Sequence, residues 1–159
     1  MSALLAAALC VSAAAAGAAT AAPLVSSNWS GYAARAASRN MPFQSVSGQW
    51  RQPAASCRRG RETYVGVWVG LGGYAESSQA LEQIGTDSDC TRGGQPVYAT
   101  WYELVPAQPV QIPLSLHAGD QVAASVTVRR HDVTLRLRDL STGRRFSVLR
   151  HTPYIDVSS

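Results

Sequence analysis

The sequence contains no lysine: all fourteen basic residues are arginine, against ten acids, for a net charge of +4. The arginines are dispersed, with pairs at Arg58-Arg59, Arg129-Arg130 and Arg144-Arg145. No basic stripe interleaved with aromatics runs through them, which argues against a nucleic-acid partner and for a solvated surface. Metal ligands are equally scarce. The cysteines and the three histidines (His117, His131, His151) have no ligand spacing, so neither a metal nor a cofactor is expected. No Gly-x-Ser-x-Gly nucleophile elbow occurs. Beyond residue 22, no stretch reads as a long helix.

Residues 1–22 are almost all Ala, Leu, Val and Ser, carry no charge and end in Ala18-Ala19-Thr20-Ala21-Ala22. This is the apolar core and cleavage region of a secretory signal peptide, without the usual basic start. The stretch is too weakly apolar for a membrane anchor, which needs about 20 strongly apolar residues. A lipoprotein site at Cys10 is disfavoured by Leu9 before it. The expectation is a secreted monomer with no stable membrane association, its single domain spanning residues 23–159. Roughly 137 residues suffice for a real core. Loss of the leader leaves Cys57 and Cys90, and two cysteines in an exported chain are expected to pair.

The rest of the chain alternates in character between Gly-, Pro- and Ser-rich turns. Val122, Ala124, Val126 and Val128 share one face of a strand over 121–128. In the run 133–140, Val133, Leu135 and Leu137 oppose Arg136 and Arg138, and 129–132 reads as the hairpin turn between these strands. Leu140-Ser141-Thr142-Gly143 makes the next reversal, before a strand over 145–149. Residues 63–71 (TYVGVWVGL) are nearly continuous in Val, Tyr and Trp, as a strand covered on both faces would be. Residues 79–87 and 96–105 also read as strands, while 34–43 and 53–62 read as loops. About nine or ten short strands imply an all-β fold, an antiparallel two-sheet β-sandwich of the concanavalin or lectin-like jelly-roll type.

Two positions depart from a purely structural pattern. Gln83 shares a strand face with Leu81 and Gly85, opposite Glu82, Ile84 and Thr86. The glycine is expected to leave open space beside the amide, as a binding groove requires. A glutamine that merely satisfies a neighbouring strand is the plainer alternative. Glu103 lies between Trp101 and Val105 on an otherwise apolar face, where a partly desolvated carboxyl suits acid or base chemistry and also occurs in ordinary cores. Trp29, Trp50, Trp68 and Trp101 serve either as core fillers or as groove walls.

The order of short motifs carries further information. Ser26-Ser27-Asn28-Trp29-Ser30-Gly31-Tyr32-Ala33 is followed by Val46-Ser47-Gly48-Gln49-Trp50 with Pro53, then Val67-Trp68-Val69-Gly70-Leu71-Gly72-Gly73. Next come Leu81-Glu82-Gln83-Ile84-Gly85-Thr86-Asp87 and Ala99-Thr100-Trp101-Tyr102-Glu103 with Pro106, then Gly119-Asp120 before a valine-rich strand and Leu140-Ser141-Thr142-Gly143. Each motif alone is weak, but in this order, from Ser26 to the end, they resemble the glutamic peptidases (eqolisins). The resemblance implies a secreted endopeptidase with a two-sheet sandwich that acts mostly at acidic pH on an extended polypeptide. In that family a glutamate is general base to a water that attacks the scissile carbonyl, then acid to the leaving amine. A glutamine amide holds the water and steadies the tetrahedral intermediate, with no metal or covalent intermediate. Gln83 matches the catalytic glutamine, and Trp68 and Glu103 match residues of the active-site groove, to which Trp101 is adjacent.

Two departures accompany the match. Several members of the family carry an Asp where this chain has Gly72, so one polar neighbour of the site is missing. The family's catalytic glutamate lies in a late strand, in a motif like Ala-Glu-Trp-Ile-Val-Glu, often just after a pair of serines. This sequence ends Val157-Ser158-Ser159 and holds four glutamates, Glu62, Glu76, Glu82 and Glu103, none of them late. The expectation is a domain lacking its last strand or strands, and inactive as it stands. A substituted base at Glu103, or a non-catalytic carbohydrate- or peptide-binding sandwich, are the alternatives.

Overall fold

A computed structural model of the chain describes residues 25–36, 38 and 42–159. The expected signal segment lies outside the described residues. The chain divides into two units, Met1–Tyr32 and Ala33–Ser159. In the described part of the first, the Ser26 hydroxyl donates to Asn28 Oδ1 at 2.9 Å.

The second unit is all-β. Its strands are β1 (Ser45–Arg51), β2 (Gly66–Gly72), β3 (Leu81–Cys90), β4 (Pro96–Val105), β5 (Val110–Gln111), β6 (Gln121–Arg129), β7 (Asp132–Asp139) and β8 (Arg145–His151). They form two antiparallel sheets, sheet A in the order β1-β6-β7-β8 and sheet B in the order β2-β3-β4-β5. Among the described residues there are thus eight strands rather than nine or ten, because irregular chain takes up 52–62, 73–80 and 112–120.

The core follows from period-two alternation. Val122, Ala124, Val126 and Val128 of β6 and Val133, Leu135 and Leu137 of β7 are buried against Leu71, Ile84 and Tyr102 of sheet B. Ile112, Leu114 and Leu116 close one side of the same cluster. The irregular segment bearing them is pinned by the buried Thr100 hydroxyl, which lies 2.9 Å from the Ile112 carbonyl and 3.0 Å from that of Leu114. The β6–β7 hairpin closes on Arg129 opposite Asp132, with Arg130 in the left-handed region at φ 57°. The next hairpin is fastened by the buried Asp139 carboxylate, which accepts the Ser141 and Thr142 amides at 2.9 and 3.2 Å. Burial alone would raise its pKa, but the Thr142 hydroxyl and these amides outweigh that and lower it.

The expectation that 63–71 forms a strand covered on both faces is overturned. Val67, Val69 and Leu71 turn toward the core, whereas the other face carries Gly66, Gly70 and Trp68, and Trp68 is 38% exposed. The near-continuous apolar run comes from glycines interleaved with valines, which mimic a doubly buried strand in composition but leave one face thinly covered.

Cys57 and Cys90 form a disulfide. It ties the irregular chain after β1 to the last residue of β3, beside the Thr63–Cys90 bridge. The 33-residue separation corresponds to about 3.5–4 kcal/mol of loop-closure entropy. A Cys57→Ser/Cys90→Ser variant is expected to lose that much unfolding free energy in urea titration, with little change in far-ultraviolet circular dichroism at low urea.

Candidate active site

β3 is the second strand of sheet B, and its alternation sends polar groups both ways. Glu82, Ile84, Thr86 and Ser88 face the other sheet and are buried. The inward hydroxyls have partners there: Trp50 Nε1 donates to Thr86 Oγ1 at 3.0 Å, and Gln52 Nε2 donates to Ser88 Oγ at 2.8 Å. Trp50 is therefore a core residue. Gln83, Gly85 and Asp87 face outward, in register with Glu103, Trp101 and Ala99 of β4 and with Gly70, Trp68 and Gly66 of β2.

This register joins the sequence-predicted residues on one face. Gln83 Nε2 donates to Glu103 Oε2 at 2.5 Å, directly across the strand pair. The second N–H and Oε1 of the amide make no hydrogen bond among the described residues. Gln83 is buried, at 9% exposure. Trp68 and Trp101 flank Gly85, one on each neighbouring strand. Trp101 Nε1 donates to Asp87 Oδ1 at 2.7 Å, which fixes the indole. Burial raises the Asp87 pKa, opposed by this hydrogen bond and reinforced by Asp89.

Open space beside the amide is not found. A Cβ on Gly85 would meet the Val67 carbonyl at 2.6 Å, Trp68 Cβ at 2.7 Å and Trp101 Cζ2 at 3.0 Å. The glycine permits close approach of the two tryptophans rather than a cavity. The walls of the face are thus packed onto β3 itself, and Gln83 is the polar group next to them.

Two further carboxylates gather at the end of β3, and sequence reasoning assigned neither. Glu82 is fully buried; its Oε1 accepts the Asp156 amide at 3.4 Å, and its Oε2 meets no partner among the described residues. Burial, aided by the nearby Asp156 charge, pushes its pKa up to about 7. Its parity with Ile84 and Thr86 was the available signal, because all three must point inward together. Asp156 arrives from the chain after β8. Its carboxylate accepts the Gly73 amide at 3.3 Å and the Ser78 hydroxyl, and accepts the Ser158 amide at 2.9 Å. Burial would raise its pKa, but the Ser158 and Ser78 hydroxyls and these amides hold it below the usual value.

Asp156 also bears on the absent Asp at Gly72. Gly72 has φ +82°, and a Cβ there would fall 2.7 Å from Asp156 Cβ. The place of a side chain at that position is taken by Asp156, so a carboxylate is present although the local sequence lacks one. No group of His, Cys, Asp and Glu among the described residues is arranged to hold a metal ion.

Two predictions follow from this geometry. The folded state holds the Glu82 proton more tightly than the unfolded chain, whose ordinary value is 4.5. Its contribution to stability is therefore complete below pH 4.5 and is lost as pH rises through about 7. Asp156 acts oppositely: its contribution is present above 3.8 and is lost as pH falls below its depressed value. The melting temperature is expected to fall between about pH 5 and about pH 8, and Glu82→Gln should flatten most of that fall; an unchanged slope in the variant would show another group responsible. Gly85→Ala should cost about 1–3 kcal/mol by overpacking and should shift the tryptophan fluorescence, since Trp101 must leave its position.

A family model described as Peptidase A4 family matches residues 27–154. No curated protein matches the chain. Among solved structures, scytalido-glutamic peptidase with a peptide-based transition-state analogue superposes with a TM-score of 0.61 at 24% identity, over 74% of this chain and 55% of that one. A second structure of scytalido-glutamic peptidase, with a transition-state analogue inhibitor, gives 0.60 at 25% identity over the same shares. Aspergilloglutamic peptidase from Aspergillus niger gives 0.51 at 23% identity, over 60% of this chain and 55% of that one. The chain spans about half the length of these proteins. With its two antiparallel sheets and a family match over most of its length, the chain belongs to the peptidase A4 family.

Proposed function

We propose that the outward face of sheet B is the substrate face of a secreted, monomeric glutamic-type endopeptidase, with Gln83 as its catalytic amide. The observation that carries this reading is the Gln83–Glu103 hydrogen bond, one register row along from the Trp68–Gly85–Trp101 row on the same face. Glu103 takes one amide hydrogen and so orients the group, leaving its second N–H free to donate to the oxygen of a scissile carbonyl. An amide suits that task, because it steadies a developing oxyanion without titrating. The tryptophans give an extended polypeptide apolar surface on either side. The Cys57–Cys90 bridge supports export, since such bonds persist in oxidising compartments. No helix among the described residues is long and apolar enough to cross a membrane.

The general base is the second half of the chemistry. Glu82 points into the sandwich, and Glu103 is committed to Gln83. Glu62 and Glu76 lie in irregular chain outside the strands. Under this reading these 159 residues bind polypeptide without hydrolysing it. The Gly72 amide donates to the Ser159 carbonyl at 2.9 Å. That contact brings Ser159 within two residues of Gly70, the register partner of Gln83.

Digestion of casein across acidic to neutral pH tests the reading. The 159-residue chain is expected to be inactive. A chain extended past Ser159 by a glutamate-bearing strand is expected to cleave, and Gln83→Ala in that chain should lower the rate by about 100- to 1000-fold. Cleavage by the 159-residue chain that disappears in Glu103→Gln would make Glu103 the base instead. Glycan binding by the extended chain with no hydrolysis would favour a carbohydrate-binding module.

A further inference from the structure

The outward face of sheet A, on the opposite side of the sandwich, carries a charge arrangement that the peptidase reading does not use. Two adjacent rows of its outward positions matter here. One row runs Gln49, Ala123, Arg138, Arg145; the next runs Ser47, Ser125, Arg136, Ser147. The small residues at 47, 123 and 125 leave an open hollow of about 630 Å³ beside the three arginines.

Arg138 and Arg145 are direct cross-strand partners. Like charges placed opposite each other in an antiparallel pair destabilise it. Among the described residues none of the three arginines makes an ion pair or hydrogen bond, and the ion pairs there are His117–Asp120 and His151–Asp132. The nearest acid in sequence, Asp139, is buried and spent on its hairpin turn. Solubility alone is served by interspersed signs, which avoid this repulsion. A guanidinium cluster with no acid beside it is the arrangement that recognises carboxylates, because the planar fork donates in parallel pairs.

We infer that this face binds an extended acidic polypeptide. Arg136 and Arg138 lie two residues apart on one strand, roughly 7 Å, which is also the spacing of every second side chain on an extended peptide. Arg138 and Arg145 are roughly 5 Å apart across the strands and can share one carboxylate. Ser47, Ser125 and Gln49 offer hydrogen-bonding groups to the main chain of such a ligand. No Trp, Tyr or Phe is among the outward positions of these four strands, so the face lacks the ring surface on which sugars and bases stack. The site is independent of Gln83 and of whether the chain hydrolyses peptides.

Fluorescence anisotropy on the 159-residue chain at neutral pH tests the inference, using a labelled peptide with glutamate at every second position. Saturable binding is expected, weakened about tenfold by Arg138→Gln/Arg145→Gln and steeply by raising salt from about 50 to about 300 mM. The same peptide with glutamine for glutamate should not bind. Arg145→Gln alone is expected to raise the melting temperature by a few degrees as the repulsion is relieved, which shows that any loss of binding is not loss of fold. Undiminished binding in the triple variant of Arg136, Arg138 and Arg145 to Gln would overturn the assignment. So would displacement of the peptide by a sulfated oligosaccharide at far lower concentration, which would make the face a glycan site.

Discussion

The register of β3 between β2 and β4 is the constraint on which the outward face of sheet B depends. Side chains on a strand alternate with a period of two, so a slip of one residue would carry Gln83 into the core and Glu82 out of it. Gly85 resists such a slip. Its neighbours Trp68 and Trp101 approach closer than any side chain at that position would allow, and each is held on its own strand by the same register. The Trp101–Asp87 and Gln83–Glu103 hydrogen bonds then repeat the fixing two residues to either side of Gly85 along β3. Packing thereby sets the position of an amide that has little freedom left of its own.

The same alternation places two glutamates in opposite circumstances within a short span of sheet B. Glu103, on the outward face, has a donor in Gln83. Glu82, facing the core, has one weak donor and a neighbouring carboxylate. A buried carboxyl with so little to balance its charge keeps its proton, whereas Asp156, with several donors, gives its proton up. The pair is most comfortable with one proton between the two groups, in the weakly acidic range.

Much of this was legible in the sequence wherever alternation was strict. Val133, Leu135 and Leu137 against Arg136 and Arg138 give β7 its faces, and 96–105 corresponds residue for residue to β4. Parity put Gln83 with Gly85 and Glu103 with Trp101, and the order of motifs assigned both to one groove, but neither said that the two side chains meet. Other features were not readable because they are non-local. Parity in 63–71 puts Gly66, Trp68 and Gly70 on one face, but nothing there says that this face is left thinly covered. Nothing near Gly85 says whether a missing side chain means space or contact; that depends on Trp101, sixteen residues on. The arginines of β7 and β8 read as ordinary surface charge until the register sets Arg138 against Arg145.

Gly72 shows how a position read locally from sequence is shaped by a residue far along the chain. Taken locally, the change from Asp to Gly deletes a polar group beside the groove. In the folded chain Asp156, from the far end of the sequence, occupies the volume that a side chain at Gly72 would fill. The left-handed backbone at Gly72 and the entry of Asp156 require each other: a residue with a Cβ would collide, and without Asp156 the glycine would border a void. The functional content of this chain is therefore to be sought in which groups its two outward faces bring together, and only secondarily in which motif letters it retains.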